Sequence, residues 1–536
     1  MSDGGASGDG QPDREEGASG DGQPDREEGA SGDGQPDRDV DAGSDGADAD
    51  AEETVVRGER FAGGPARSFM SSLDADTRIF AADLAVDRAH VVMLARQGIL
   101  GDADTEAILQ ALDSVERDGH AALPAGEDVH EAIESAVVAR VGPAGGRMHT
   151  ARSRNDEVAT CIRYRFREDL LEAADATLTL RESLLEAAEA EANTVVPGFT
   201  HRQHAQPTTV GHLLSSYVGA VARDTERLLD AYDRTNQSPL GAAAFAGTTF
   251  DVDRECTAAL LGFDGIVENA ADAVTARDFL VEGSSALAAL AATLSGVATD
   301  LIEAAKDGHV ELDDAYASTS SIMPQKKNPD SLELVRAVSG DAVGELTGLL
   351  TTLKGLPRAY NRDLQRATPH AWDAVDIVTE ATRVSAGAVA TAEWDAEACA
   401  ADAGTGFSTA TGAADALAAA GVPFRTAHEL VAEAATTVPA EASTGALVAA
   451  LEDAAIETLD EPLSAHVDTE SLRTLLSARG SVAARDSRGG PASDAVAESA
   501  ETLNAVRAEH TAAVESRRQS LATAEETLEE VVASHV

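Results

Sequence analysis

Three short stretches of the chain combine side chains that could move protons and hold anions. The first, Ser318 to Asp330 (STSSIMPQKKNPD), sets Ser320 and Ser321 ahead of Lys326 and Lys327, with Asn328 and Pro329 spaced as the N-cap and first residue of a helix. Lysines beside a helix N-terminus make a site for an anion such as a carboxylate. The same field favours an ionised serine, and a free hydroxyl is too weak a base without such help. The second, Thr150 to Asp156 (TARSRND), spaces Ser153 and Asp156 as a capping box and places Arg154 where it could grip a carboxylate through two parallel bonds. The third, Gly198 to Pro207 (GFTHRQHAQP), carries His201 and His204 just before a helix opened by Pro207, and a histidine can act as an acid near neutral pH. On residue types alone each stretch also reads as structure: solvated lysines in a polar loop, a simple cap, histidines bonded to backbone. The two histidines lack nearby Cys or carboxylate co-ligands, so no metal is expected. No phosphate-binding glycine loop, βαβ unit or His-Glu-x-x-His helix appears, so no cofactor is expected either.

The elements that must position these stretches read as long helices. Between Arg147 and Val196 there is neither Gly nor Pro, and Leu170, Leu171, Leu178, Leu184 and Leu185 keep helical spacing. Further long helices are predicted at about 207–232, 276–306 and 329–356, which together imply an all-α fold with an elongated central bundle. Residues 73–140 read as short helices. After 402 the helices shorten again, with breaks at Gly421–Pro423 and Gly489–Pro491, and residues 492–536 read as a polar helix. The expected division is a tail at 1–54, an N-terminal helical domain at 55–148, a central bundle at 149–401 and a C-terminal helical domain with a polar extension at 402–536. The tail repeats GASGDGQPDREE twice and begins a third copy. With no apolar face in any unit, it is expected to be disordered.

Composition excludes several function classes. The 536 residues carry a formal net charge of −53, and residues 1–53, with 18 acidic and 3 basic side chains, hold only −15 of it. Such a surface repels nucleic acid and anionic membranes, and it fits a chain adapted to high salt. Aromatic residues are 3%, which favours close helix packing over β-structure. Three dispersed cysteines suggest neither a disulfide framework nor a metal site, and the N-terminus lacks the pattern of a signal peptide, so a reducing cytoplasm is expected.

Taken together, the stretches carry a resemblance. SSIMPQKKNP resembles the signature of the fumarase and aspartase superfamily, whose members release fumarate from succinyl-containing substrates. PQKKNPDSLELVR, HTARSRND, FTHRQHAQP and LKGLPRAYNRDLQ (353–365) are similar to argininosuccinate lyases and their lens relative delta-crystallin, as are PFRTAHE (423–429) and GGP (489–491). The resemblance covers about 57–498. It implies three mainly helical domains and a homotetramer whose active sites are each shared by three subunits. It also implies reversible, cofactor-free β-elimination of argininosuccinate to arginine and fumarate. By the same resemblance Ser320 is the base, Lys326 stabilises the doubly charged aci-carboxylate, His201 assists departure of the guanidinium nitrogen and Glu333 orients that histidine. Arg154, Asn155, Thr200, Asn328, Tyr360 and Gln365 match substrate contacts, as do Ser72 and Asp76 from the first domain. The chain departs from the pattern at Thr319 and Ala151, where the family has Gly, in Arg57–Phe61, which lacks a Trp, and at Thr368, where relatives place Lys; Arg366 could compensate. Two alternatives remain at this point: another lyase of the superfamily, such as adenylosuccinate lyase or fumarase, and a catalytically silent delta-crystallin-like protein.

Overall fold

The computed structural model describes residues 65–439 and 442–536; the repeat tail expected to be disordered lies outside them. After a short opening helix at Pro65–Met70 come three longer ones: α1 (Phe80–Arg96), α2 (Asp102–Asp118) and α3 (Val129–Val141). They pack around an apolar cluster that includes Leu84, Val91, Met93, Ile108, Leu112 and Ile133. Five long helices then alternate in direction: α4 (Arg154–Ala190), α5 (Val210–Thr235), α6 (Asp278–Lys306), α7 (Asp330–Leu353) and α8 (Leu364–Ala390). Their cores form one continuous apolar cluster from Ile162 and Phe166 to Val389. At 1.5 Å per residue, the 37 residues of α4 span about 55 Å and the 29 of α6 about 43 Å. Each fully buried leucine in this cluster contributes about 1.5–3 kcal/mol relative to exposure.

Alternation gives the bundle two ends. The starts of α4, α6 and α8 lie at one, here the near end, beside α1–α3. The starts of α5 and α7 lie at the far end. Close approach of α6 to α4 depends on Gly283, where a Cβ would come within 2.6 Å of the Phe166 ring. By length and apolar composition α6 could cross a membrane, but it packs among α5, α7 and α8 as a bundle core helix.

Beyond the bundle, short helices enclose a separate apolar cluster from Phe407 to Leu476. The last helix, α9 (Ser493–His535), runs back along the bundle. Arg507 pairs with Glu182 at 3.5 Å and Arg517 with Asp233 at 2.8 Å, while Leu528 and Val532 enter the near-end cluster.

Sequence and structure differ at several boundaries. α5 begins at Val210 with Thr209 as its N-cap, three residues after Pro207. α7 begins at Asp330, so Pro329 occupies the cap position, and Asn328 pairs in a two-residue strand with Ser318 instead of capping. α8 is a further long helix beyond those predicted from sequence, and Pro369 falls inside it. The predicted capping box at Ser153 and Asp156 is present in both directions.

Candidate active site

Loops and helix starts at the near end enclose a cavity of about 560 Å³. Six of the eight substrate-contact candidates line it: Ser72, Asp76, Arg154, Asn155, Tyr360 and Gln365. The capped first turn of α4 fixes Arg154, whose guanidinium reaches Asp128 at 3.3 Å and Glu131 at 3.6 Å. Ser72 donates to Asp76 at 2.7 Å, and the Val129 amide donates to the same carboxylate at 3.2 Å. Burial raises the Asp76 carboxyl above its ordinary range and does the same to the Tyr360 phenol. Gln365 donates to the Met70 carbonyl at 3.1 Å, which ties the start of α8 to the segment carrying Ser72. Sequence reasoning missed Glu127, Asp128, His130, Arg277 and Arg362, which also line the cavity. No local motif marks them, since only the fold gathers them.

Beneath the cavity lies a buried ion network. Arg152 bridges Asp87 at 2.6 Å and Glu157 at 2.8 Å, while His130 meets Asp83 at 2.8 Å. Burial pushes Asp87 up to about 7 and Glu157 well above its ordinary value. Burial alone would lower His130, but Asp83 and Glu157 outweigh it and hold the imidazole at about 10. Two sets of three, Asp83 with His130 and Cys161 and Asp83 with Asp87 and Glu157, each stand close enough to offer a metal ligands, but Arg152 and His130 already supply the countercharge. Three carboxylates against two cations leave one proton to be held, which fits the raised values of Asp87 and Glu157.

The remaining candidates stand at the far end. Thr200 and His201 belong to a hairpin in which Phe199–Thr200 pairs with Gln203–His204. Its two turn residues, His201 (φ 55°) and Arg202 (φ 59°), are both left-handed. Such a turn normally takes Asn-Gly, so the histidine is held there at a conformational cost. Arg202 anchors the hairpin to Glu303, in the last turn of α6, at 2.6 Å. Ser320 and Lys326 flank a loop closed at its base by pairing of Ser318–Thr319 with Lys327–Asn328. Lys327 fastens that base to Asp314 at 2.8 Å and Glu311 at 3.2 Å, and Ser318 donates to Asp330. The Met323 amide donates to Ser320 Oγ at 3.1 Å and the Ile322 amide at 3.4 Å, an arrangement that favours negative charge on that oxygen. Asn328 lines a second cavity of about 540 Å³ with Ala305, Gly308 and Trp394. Glu333 is exposed on the first turn of α7. Among the described residues, no hydrogen bond or ion pair within the chain links it to His201.

The fold is that of a helical-bundle lyase, with six of the candidate site residues gathered at one end of the bundle and the remaining candidates at the other. A lyase family model matches residues 68–344, and an argininosuccinate lyase C-terminal model matches 407–483. The chain is 62% identical over 475 residues to the argininosuccinate lyase of Haloarcula marismortui, covering 89% of this chain and 95% of that one. It is 64% identical over 444 residues to that of Halobacterium salinarum, covering 83% and 91%. Among solved structures, an EDDS lyase in complex with formate superposes with a TM-score of 0.77 at 31% identity, over 88% of this chain and 96% of that one. The class II fumarase of Schistosoma mansoni shares the fold alone, with a TM-score of 0.63 at 16% identity over 75% and 90%. The chain belongs to the argininosuccinate lyase family.

Proposed function

We propose that the protein splits argininosuccinate into L-arginine and fumarate, and catalyses the reverse addition, in the cytoplasm. Ser320 takes the proton from the carbon beside a succinyl carboxylate. Electrons move onto that carboxylate, and Lys326 holds the dianion so formed. The carbon–nitrogen bond then breaks, His201 supplies a proton to the departing guanidinium nitrogen, and Glu333 orients the imidazole. Asp76 reads the cationic arginine end of the substrate, with Ser72, Arg154, Asn155, Thr200, Asn328, Tyr360 and Gln365 as further contacts. A weakly acidic proton needs fixed cations where charge develops and a separate acid for the leaving group, and these segments carry both.

One observation carries this reading. The near-end cavity and the far-end serine loop hold complementary parts of a site, yet bundle helices about 43–55 Å long separate them within one chain. Antiparallel association of bundles would bring the near end of one subunit to the far ends of others, which supports a homotetramer with shared sites. Leu334 (69% exposed), Val343 and Leu350 leave α7 with apolar surface for such contacts. We assign the domains as 55–148, 149–401 and 402–536, with α9 crossing back over the bundle.

Fumarate absorbance on adding argininosuccinate tests the reaction, and Ser320→Ala should lower kcat by about 10²–10⁴-fold. Fumarate release from adenylosuccinate but not from argininosuccinate would overturn the assignment.

A further inference from the structure

Arg277, the residue before α6, is 2% exposed and lines the near-end cavity. Its Nη1 donates to the Ala276 carbonyl at 2.9 Å and, at 3.5 Å, to that of Val274. Nε and Nη2 have no hydrogen-bond partner among the described residues. Among the described residues no carboxylate forms an ion pair with it; its electrostatic neighbours are the Tyr360 phenol, which also lines the cavity, and the buried Arg163, a like charge that adds to the need for an anion. The other cations there are differently placed: Arg154 is paired with Asp128 and Glu131, Arg362 with Glu127, His130 with Asp83, and Arg366 is exposed to solvent. A buried guanidinium with two open donors and no countercharge is costly unless an anion completes it. Capping two carbonyls does not account for it, because that task uses one nitrogen of three and leaves the charge unmatched.

The surroundings hold this donor face in place. The Ala359 amide donates to Thr275 Oγ1 at 2.7 Å, and Arg358 pairs with Asp272 at 2.9 Å, so the loop carrying Tyr360 is bolted to the segment leading into Arg277. Ala359 itself is held at a φ of 76°, a left-handed strain of the kind found at ligand clamps. Thr368, buried on another wall, brings no charge.

We propose that Arg277 is a specificity-determining residue whose open guanidinium edge binds the α-carboxylate of the arginine half of the substrate. The inference rests on the near-end cavity being the substrate pocket and on Asp76 facing the cationic end. The succinyl carboxylates belong with Lys326, which a far end supplies, and so the amino-acid carboxylate is the anion left for Arg277. A planar guanidinium with two free donors suits a carboxylate held by parallel bonds.

Calorimetric titration of the intact chain with L-arginine and with agmatine, which is arginine without its carboxylate, tests the proposal. The wild type should bind L-arginine about 10- to 100-fold more tightly than agmatine, the range for hydrogen bonds to a charged partner. Arg277→Met and Arg277→Gln should bind the two within about threefold of each other, and Arg277→Lys should restore part of the preference. The neutral variants should also melt no lower than the wild type, since each removes an uncompensated buried charge; a purely structural arginine would lower the midpoint. The two neutral side chains differ in shape and polarity, so either one, once folded, suffices. A wild-type preference surviving in either overturns the assignment of Arg277 alone. A wild type that binds arginine no better than agmatine overturns it together with the placement of the substrate.

Discussion

His130 is buried between two carboxylates and lines the near-end cavity, so its proton bears on stability. Its imidazole is held at about 10 against an ordinary 6.5, so the folded chain keeps a proton that the unfolded chain releases. The stabilisation is complete below about pH 6.5 and is lost as pH rises towards 10, with a slope of at most about 1.4 kcal/mol per pH unit. Asp87, raised to about 7, works in the same direction at lower pH: between about 4 and 7 only the unfolded chain gives up that proton, and stability falls as pH rises. Thermal midpoints should therefore decline from pH 6.5 to 9.5. Replacing the pair together, Asp83→Asn with His130→Asn, should flatten the decline without stranding a buried charge. A wild-type midpoint that stays level over that range would contradict the charged state of His130. None of this was legible in the sequence, where Asp83, Asp87, His130 and Glu157 are isolated polar residues on three separate helices that no local motif connects. Ser320, Lys326 and His201 could be singled out as candidates because loops before helix starts keep their residues in short contiguous motifs, whereas a buried network draws its residues from several elements.

Elements that depend on local chemistry were the most readable. The capping box at Ser153 and the Gly- and Pro-free run behind it lead directly to α4. Pro369 lies inside α8, yet the helix continues through it with Ala371, Ala374, Val375 and Val378 buried against the bundle. Tertiary burial outweighed the lost backbone bond. Pro329 displaced the predicted cap by one residue because Asn328 is drawn into pairing with Ser318. One departure from the family pattern has an energetic consequence at this scale. Ala151 stands immediately before the Arg152–Asp156 turn with a φ of 64°, the left-handed region that glycine enters freely. Ala151→Gly should therefore raise stability by about 0.5–1 kcal/mol, the relief of left-handed strain exceeding the added freedom of the unfolded chain. Denaturant unfolding of the two chains measures this, and an unchanged or lower midpoint would mean that the turn already relaxes around the methyl group. Thr319 takes a different course. It sits in a strand pairing with Lys327 and is not among the residues at positive φ, so its departure from glycine carries no comparable strain.

At the scale of the whole molecule, the opposition of the two bundle ends and the acidity of the chain each make a prediction. If active sites draw the cavity from one subunit and the serine loop from another, Ser320→Ala and Gln365→Ala are each inactive alone but complementary when mixed. After denaturation and joint refolding in equal amounts, about a quarter of the sites would pair an intact cavity with an intact loop, and that fraction of wild-type activity should return. No recovery would place both halves of each site in one chain. Charge makes the second prediction. With 94 acidic and 41 basic residues, even complete pairing leaves 53 acids unmatched, so exposed ion pairs such as Arg78–Asp376 at 2.6 Å cannot set the overall response to salt. Salt weakens those pairs, each worth about 0–1 kcal/mol, but it also screens repulsion among the larger unmatched set. The screening length shrinks from about 10 Å at 0.1 M to about 3 Å at 1 M, which reaches neighbouring surface carboxylates. The thermal midpoint should therefore rise steadily with KCl through this range, and activity with it. Deleting residues 1–53 removes 15 net negative charges and no part of the proposed site. The shortened chain should keep its turnover and reach the same midpoint at lower salt. A midpoint that falls with added salt would mean that ion pairing, and not unmatched acidity, governs the folded state.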